Sequence, residues 1–415
     1  MDRPAEIVSR VDTAAPRLRA RHASGARVTL ADGHEYIDLM NGKGCVTLGH
    51  HHPAVADAIR RVLDERIGCS TCWSDAHEEL AATIVADSGM PEAQLAFFST
   101  GTEACRVAVQ AARSRTGRRL VASAGYHGWG DHWDPGAALL APNANGVIDF
   151  YFIPELLDEV LRRHAGQVAL MILSPDYVHL LPATLAELVG IARAHGVLVC
   201  CDDVKQGYRS TPASALPRTA GVDADLYTFA KGLANGQRLS CVVGRPEVMA
   251  AVRHLTYTAY FDIVPIVAGL ATLKEMARTN GYDRLVACGA AVAERLRREV
   301  AQSGLPIAVY GDGPMLQLAG ATEELDAALY AACAHAGLLL YEGDNQSVSL
   351  ATESEVDEIG RRFAAALAVL ATSFDHLAGQ DVPPQRRFEA AFAMMDGATD
   401  AVPRADALRW LEGMR

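Results

Sequence analysis

The sequence has no apolar run of the ~20 residues that a membrane-spanning helix requires, since even the stretch 363–374 is too short. Its first residues, MDRPAEIVSR, lack the basic-then-apolar order of a signal peptide. Basic residues are not in excess either, because the formal net charge is -12. The nine cysteines are an odd number scattered through apolar segments, which is typical of reduced thiols. We therefore expect a cytoplasmic protein that binds neither membranes nor nucleic acids.

Two kinds of site motif are also missing. No predicted strand is followed by G-x-G-x-x-G, and the phosphate loop G-x-x-x-x-G-K-[ST] does not occur. The pair Cys69-x-x-Cys72 has no second pair, and the histidines at 50–52 precede Pro53 at a predicted helix start. The sequence therefore indicates neither a common nucleotide-binding loop nor a metal site.

With 415 residues, the chain is long enough for two domains and for a core that folds without disulfides. Its middle part alternates short apolar runs with amphipathic helical patterns. The predicted strands are residues 94–99, 119–123, 168–173, 197–202, 225–230 and 240–244, and helical patterns between them include 103–113, 183–195 and 247–254. This alternation predicts an α/β fold with a mostly parallel sheet covered by helices on both faces. In such a sheet the ligand binds outside the carboxyl ends of the strands.

The segments that flank this core predict a smaller α+β domain. Residues 28–40 resemble a hairpin around Asp32-Gly33. The C-terminal third has two long helical patterns, about 283–303 and 353–372, and strand-like runs at 315–318 and 338–341. After Asp375 the composition shifts to glycine, proline and charge. The predicted parts are an N-terminal segment joining the small domain (1–48), a large cofactor-binding domain (49–278), the small α+β domain (279–375) and an appended helical tail (376–415).

Lysine is scarce: the chain has only Lys43, Lys205, Lys231 and Lys274. Lys274 lies beside Glu275 on an amphipathic helical pattern, which is typical of a solvated helix face. Lys231 directly follows the apolar strand DLYTFA and precedes a segment that contains glycine. A cation at this end of a strand, where glycine lets a ligand approach the backbone, favours a functional role. A lysine in a surface loop is the structural alternative.

Two carboxylates, Asp202 and Asp203, end a predicted buried strand ahead of Lys231. An acid in that position costs free energy of desolvation unless it meets a cation or a metal. One of the two is alternatively a helix N-cap. Because side chains alternate along a strand, only one of these carboxylates faces a ligand on a given side.

Two further segments follow strand ends. Thr100, Gly101 and Thr102 stand where a strand turns into a helix, and helix-start amides together with hydroxyls suit a phosphate. A threonine N-cap has the same pattern. Tyr126, in the segment Tyr126-His127-Gly128-Trp129, brings aromatic rings to the same sheet edge, where they stack on a planar cofactor or fill the core.

A phosphate site, aromatic rings, a buried acid and a strand-end lysine are what pyridoxal phosphate requires. Over roughly residues 20–370, the chain resembles the class-III (ornithine/GABA-type) aminotransferases, which are fold-type I pyridoxal-phosphate enzymes. The segments that carry the resemblance are 48–53 (LGHHHP), 100–104 (TGTEA), 126–128 (YHG), 202–209 (DDVKQGYR) and Lys231. The form of segment 202–209 is closest to that of the glutamate-1-semialdehyde aminomutase branch.

The resemblance implies roles for individual residues. Lys231 is expected to form a Schiff base with the cofactor aldehyde and later to move the α-proton. Asp202, rather than Asp203, is expected to pair with the pyridinium nitrogen. The other expected cofactor contacts are Thr100, Gly101 and Thr102 at the phosphate and Tyr126 on the ring. A homodimer with a shared active site is also implied, in which Thr258 reaches the phosphate bound by its partner.

The sequence departs from the family pattern in several places. Ser174-Pro175 replaces a Glu-Pro, Asp203 replaces a glutamate, and the Gly-Asn-Pro expected after Thr258 is missing. Lys43, between two glycines, stands in the substrate-facing segment, where relatives often carry a large neutral residue. An ammonium here would pair with a carboxylate or phosphate on the substrate. A solvated loop lysine is the alternative.

The sequence therefore favours an aminotransferase, which moves an amino group between a small-molecule donor and a keto acid or aldehyde acceptor. An aminomutase, which moves the amino group within one molecule, shares every residue named above. A non-catalytic relative is disfavoured because Lys231 and Asp202 are both present. A nicotinamide-dependent oxidoreductase is disfavoured by the missing glycine fingerprint.

Overall fold

A seven-stranded sheet forms the centre of the molecule in the computed structural model, which describes residues 18–65, 68, 70–90, 92–130, 139–383 and 386. In spatial order its strands are β4 (Gln94–Phe98), β10 (Ser240–Gly244), β9 (Leu226–Phe229), β8 (Leu198–Asp202), β7 (Val168–Leu173), β5 (Leu120–Ala124) and β6 (Val147–Asp149). All neighbours from β9 to β6 are parallel, whereas β10 is antiparallel to both β4 and β9. The mostly parallel sheet predicted from the sequence is confirmed. The reversal at β10 follows from its short connection to β9, since a parallel neighbour needs a long crossover.

Helices cover both faces of this sheet. They are α2 (Pro53–Asp64), α3 (Asp75–Ser88), α4 (Gly101–Thr116), α5 (Pro154–Arg163), α6 (Pro182–Ala194), α7 (Ala215–Ala220), α8 (Pro246–Met249) and α9 (Ile263–Arg278). Strand β10 illustrates how the strands serve two cores: Val242 packs in the cluster formed with α4, whereas Cys241 and Val243 pack in the larger cluster on the other face. This alternation explains why the strands read as continuous apolar runs.

The predicted N-terminal hairpin is present. Strands β2 (Arg27–Leu30) and β3 (Glu35–Asp38) pair antiparallel around Asp32 and Gly33, with β1 (Ala20–Ser24) on the outer side. A short parallel pairing joins β3 to β13 (Leu338–Leu339), so the hairpin completes a sheet with the C-terminal part of the chain. The turn α1 (Asn41–Gly44) then leads toward the central sheet, with Gly42 and Lys43 in the left-handed region.

The C-terminal part contains a second small sheet, β11 (Ile307–Tyr310), β12 (Met315–Gly320) and β14 (Gln346–Ser347). The helices α10 (Gly281–Ser303) and α11 (Glu323–His335) pack against it, and α12 (Val356–Ser373) packs on both of these helices. The two long helices were predicted to within a few residues, but β11 and β6, the edge strand of the central sheet, were not predicted. Most of the tail predicted at 376–415 lies outside the described residues.

Eight cysteines fall within the described part of the chain, and all of them are free thiols. The ninth, Cys69, lies outside it. Among the described helices, none has both the length and the apolar character needed to cross a membrane.

Candidate active site

The predicted acid and lysine emerge from two neighbouring parallel strands at the same sheet edge. Asp202, the last residue of β8, lies opposite Thr228 of β9 in the register of the sheet. Lys231 follows Thr228 by three residues and opens a 3-10 helix, Lys231–Ala234. The sheet thus brings Asp202 and the loop that carries Lys231 to one place, as the positions of the two residues after their strands predict.

Asp202 is 1% exposed, and donors surround its carboxylate. The Thr228 hydroxyl donates to Oδ1 at 2.7 Å, and Nδ1 of the buried His127 lies 2.7 Å from Oδ2. The Cys105 thiol donates to Oδ2 at 3.2 Å, and burial keeps that thiol protonated by raising its pKa. Hydrogen bonds of this kind stabilise the ionised form of a buried carboxylate.

The ligand atoms of Cys105, His127 and Asp202 lie within 4.8 Å of one another, which is also close enough for a metal ion. The hydrogen bonds already account for this proximity, and the protonated thiol is a poor metal ligand. The donor set therefore fits an anion held beside a cationic ring better than a metal site.

Asp203 faces a different environment from Asp202. Its Oδ2 accepts a hydrogen bond from the Tyr177 hydroxyl at 2.7 Å, and that hydroxyl accepts one from the Ala215 amide at 3.0 Å. Burial raises the pKa of Asp203 to about 7. The two adjacent carboxylates thus differ in partners, as alternation along a strand end requires.

The backbone of Lys231 has a φ of 35°, a value that residues other than glycine rarely adopt. Its side chain is partly buried, and the loss of solvent around its ammonium lowers the pKa to about 8, with the positive charge of Lys205 acting in the same direction. A strained backbone and a partly buried amine that is easily deprotonated are typical of a functional lysine.

The loop that carries Lys231 is anchored to the N-terminal segment through Asn235. Its Oδ1 accepts from the amides of Thr47 and Leu48 at 3.0 and 2.9 Å, and its Nδ2 donates to the Gly49 carbonyl at 3.0 Å. This explains physically why the Leu-Gly-His segment belongs to the site although it lies far away in sequence.

The residues predicted to bind a phosphate lie at the N-terminus of α4. The Thr100 hydroxyl accepts from the Glu103 amide at 3.3 Å and donates to the Glu103 carboxylate at 3.2 Å, so this side chain caps the helix. Gly101 packs so closely on Val204 that a Cβ would lie 2.7 Å from its side chain. A Cβ on Gly128 would lie 2.1 Å from the Thr102 hydroxyl oxygen. The glycines therefore permit a tight cradle at amides that have no acceptor within the helix.

Two predicted site residues lie at the edge of this region. Tyr126 is partly exposed, and its ring meets Trp129 edge-on at 5.4 Å. Thr258 is exposed next to Tyr257, whose ring centre lies 5.9 Å from that of Phe98. The structure thus places Thr258 on the surface, near the strand that leads to α4.

Lys43 is also exposed, and its Nζ lies 5.5 Å from the centre of the Tyr341 ring. The same C-terminal loop carries Asp344, whose charge acts on Lys231. Lys43 is therefore at the rim of the loop cluster around the site and not in its interior.

Sequence reasoning missed three contributors. His127 was noted only as part of an aromatic segment, Lys205 received no role, and Asp344 was not singled out. Asp344 forms an ion pair with Lys205 at 2.5 Å, across 139 positions of sequence. For Lys205, the sequence offered one indication: with only four lysines in the chain, each of them is worth examining.

Known proteins are similar to this chain over most of its length. Residues 8–131 and 157–358 match the family model described as Aminotransferase class-III. The 2'-deamino-2'-hydroxyneamine transaminase of Streptomyces kanamyceticus is 33% identical over 353 residues, which cover 84% of this chain and 90% of that protein. The glutamate-1-semialdehyde 2,1-aminomutase of Desulfosudis oleivorans is 30% identical over 388 residues, with the same coverage of 84% and 90%.

A solved structure described as a transaminase with PLP bound has a similar fold. The TM-score is 0.78 at 26% sequence identity, and the match covers 88% of this chain and 94% of that one. The similarity includes both the central sheet and the C-terminal part, since most of each chain is covered.

Proposed function

Because the chain belongs to the class-III aminotransferase family, we propose that it transfers an amino group between a donor amine and a keto acid or aldehyde, using Lys231 to bind pyridoxal phosphate. The family, the fold type and the cofactor predicted from the sequence are confirmed by the family match and by the PLP-bound transaminase of similar fold. The observation that carries the residue assignment is the pairing of β8 with β9, which sets buried Asp202 beside the loop of Lys231.

The residues fit the cofactor in three places. Asp202 offers a buried, hydrogen-bonded carboxyl group for the pyridinium nitrogen. Gly101 and Thr102 offer the start of α4 for the phosphate, whereas the Thr100 side chain is used in capping. Tyr126 stands at the same edge for contact with the ring. When bound, pyridoxal phosphate supplies an aldehyde that reacts with amines and a ring that accepts electrons.

The chain's own residues then handle the protons. Lys231 Nζ, a partly buried and easily deprotonated amine, removes the proton from the donor carbon that bears the nitrogen and passes it on within the first half of the reaction. In the second half the same amine, as an ammonium, supplies a proton to the acceptor carbon that receives the nitrogen. Asp202 holds the proton on the ring nitrogen through its charge. The Thr228, His127 and Cys105 donors orient that carboxylate.

A labelling experiment tests the assignment of Lys231. Borohydride reduction in the presence of pyridoxal phosphate should fix the cofactor mass on the peptide that contains Lys231. With only four lysines in the chain, the modified position is identified directly. Label on Lys43 or Lys205 would contradict the proposal.

An aminomutase is the second candidate, because one relative is a glutamate-1-semialdehyde 2,1-aminomutase. The transaminase is the more similar of the two relatives, at 33% against 30% identity. An experiment with single donors separates the two candidates. Each donor is incubated with the holoenzyme, and the visible absorbance of the cofactor is followed. A neamine-type amine is included among the donors because of the name of the first relative. Product that requires a separate acceptor supports the aminotransferase, and product from one substrate alone supports the aminomutase.

We also propose that the protein works as a cytoplasmic homodimer with Thr258 near the partner's phosphate. Half-exposed Trp73 supports a subunit contact, since its ring lies 5.4 Å from Tyr260 and 4.8 Å from Phe261 in an exposed aromatic cluster close to Thr258. The free thiols among the described residues support the cytoplasmic location.

A further inference from the structure

A second lysine leaves the sheet beside Lys231. Lys205 follows Asp202 by three residues, as Lys231 follows Thr228, and Asp202 and Thr228 are paired across β8 and β9. The loops after the two strands pack tightly: a Cβ added to Gly232 would lie 3.1 Å from the Gly207 carbonyl oxygen. The fold therefore holds the two lysine-bearing loops against each other.

Lys205 does not extend freely into solvent. Its Nζ lies 2.5 Å from Oδ1 of Asp344, and the two side chains are only 18% and 26% exposed. Burial on its own raises the pKa of the Asp344 carboxyl, but the Lys205 charge and hydrogen bond outweigh it and lower that pKa below its ordinary value. Asp344, on the loop between β13 and β14, thus fixes the position of the Lys205 charge.

Four groups, from three parts of the chain, act electrostatically on Lys231. The loop after β8 contributes Lys205 and Arg209, the loop before β14 contributes Asp344, and the segment after α1 contributes Cys45. Arg209 is fully buried, and other groups hold its guanidinium in place. Its Nε donates to the Lys205 carbonyl at 2.8 Å, and its other nitrogens donate to the Gly44 carbonyl and the Ser347 hydroxyl. Among these charges Lys205 has the largest effect, and it favours the uncharged amine, as Arg209 does. Asp344 and Cys45 act in the opposite direction and favour the ammonium.

We propose that Lys205, held in place by Asp344, is a positioning residue that favours the uncharged form of the Lys231 amine, the form that bonds the cofactor and accepts a proton. A neighbouring fixed cation disfavours a second ammonium, so the neutral, nucleophilic form of Lys231 predominates at lower pH than it would otherwise. The inference rests on the proposed role of Lys231.

The protonation of Lys231 is measurable without the cofactor. The full-length, cofactor-free chain labelled with [ε-13C]lysine has four lysine signals, one for each of its four lysines, and single lysine-to-methionine variants assign them. In Lys205→Met, the titration midpoint of Lys231 should rise by about 1 pH unit, because a neighbouring charge typically moves a pKa by 1–3. Lys205→Arg keeps the positive charge and should restore the original midpoint.

A second measurement separates this effect from a general structural role. The rate at which the chain captures pyridoxal phosphate is followed by visible absorbance between pH 7 and pH 10. At pH 8, Lys205→Met should be about five-fold slower, because the neutral fraction of Lys231 falls from roughly a half to a tenth. Near pH 10 the two rates should converge. Lys274→Met is the matched control, because Lys274 pairs with Glu79 on the surface, and it should change neither result.

An unchanged or lowered midpoint in Lys205→Met would overturn the inference, as would a rate deficit that is equal at every pH. If the methionine variant folds poorly, both measurements are repeated with Lys205→Gln, which also removes the charge. The labelling of Lys231 by borohydride is read independently, so a failure of that assignment is distinguishable from a failure of this one.

Discussion

Nδ1 of His127 lies 2.7 Å from Oδ2 of Asp202, and both side chains are almost completely buried. The two residues are 75 positions apart in sequence. A short contact of this kind between an imidazole and a carboxylate is among the stronger hydrogen bonds in proteins. The pair therefore sets the orientation of the carboxylate on which the proposed chemistry depends.

Replacing His127 should weaken cofactor binding. His127→Ala removes a hydrogen bond worth about 1.5–3 kcal/mol from a buried carboxylate, so the Kd for pyridoxal phosphate should rise roughly ten- to a hundred-fold. Equilibrium titration by absorbance or fluorescence measures it. His195, which contacts Asp158 at 2.9 Å near the surface, provides a matched control. Equal losses in His127→Ala and His195→Ala would show that the effect is not specific to the site.

The two adjacent carboxylates should differ in their importance for turnover. Asp202→Asn removes the charge facing the ring nitrogen and should lower kcat by at least two orders of magnitude, about 2.7 kcal/mol. Asp203→Asn should cost less, because Asp203 contacts Tyr177 instead. Steady-state kinetics with one donor and one acceptor compares the pair. The reverse ranking would place the ring partner at 203.

Asp203 should make stability depend on pH. Its pKa is about 7 in the folded chain against an ordinary value of 3.8, so the folded state holds this proton more tightly than the unfolded state. The associated stability is present at low pH and is lost as the pH rises from about 4 through 7. Asp203→Asn abolishes the titration. Compared with wild type, the variant should therefore be more stable at pH 8 than at pH 5. The difference between the two relative free energies of unfolding should be on the order of 2–3 kcal/mol.

Urea unfolding at the two pH values measures this difference. A variant whose relative stability is the same at pH 5 and pH 8 would show that Asp203 is ionised in the folded chain throughout this range.

Thr258 should act across the subunit boundary. Subunits carrying Lys231→Ala and subunits carrying Thr258→Ala are each expected to be impaired. A mixed dimer should contain one site with both lesions and one with neither, so activity should return on mixing. A phosphate hydrogen bond of about 1.5–3 kcal/mol is expected from the threonine hydroxyl. Activity no higher than that of the parent dimers would assign Thr258 to its own subunit, where Tyr257 already contacts Phe98.

Lys43 should discriminate between charged and neutral substrates. If its ammonium binds an anionic group of the substrate, Lys43→Met should lower kcat/KM about ten- to a hundred-fold for an amine that carries such a group. The kcat/KM for an amine of similar length without an anionic group should stay the same. Lys43→Arg keeps the charge and serves as the control. Equal loss for both substrates would mean that Lys43 supports the loop through Tyr341. No change for either would mean that it faces solvent only.

Local sequence patterns predicted the central sheet and its functional edge. Strands β7 and β10 were placed to the residue, because an apolar run between two helices leaves few alternatives for its ends. The positions of Asp202 and Lys231 after their strands were sufficient to bring them to one edge, since parallel strands share a direction. These predictions depend on short-range pattern and on a general rule of sheet topology.

The sequence by itself thus determined the family and the mostly parallel sheet, and it predicted the lysine and the acid of the proposed site. Only the tertiary structure decided which side chains meet them: His127 and Cys105 at Asp202, Asn235 at the N-terminal segment, and Lys205 with Asp344 beside Lys231. These contacts join positions between 75 and 188 residues apart. Periodicity and spacing along the chain do not predict contacts between residues so far apart in sequence, because these contacts result from the packing of whole helices and strands against one another.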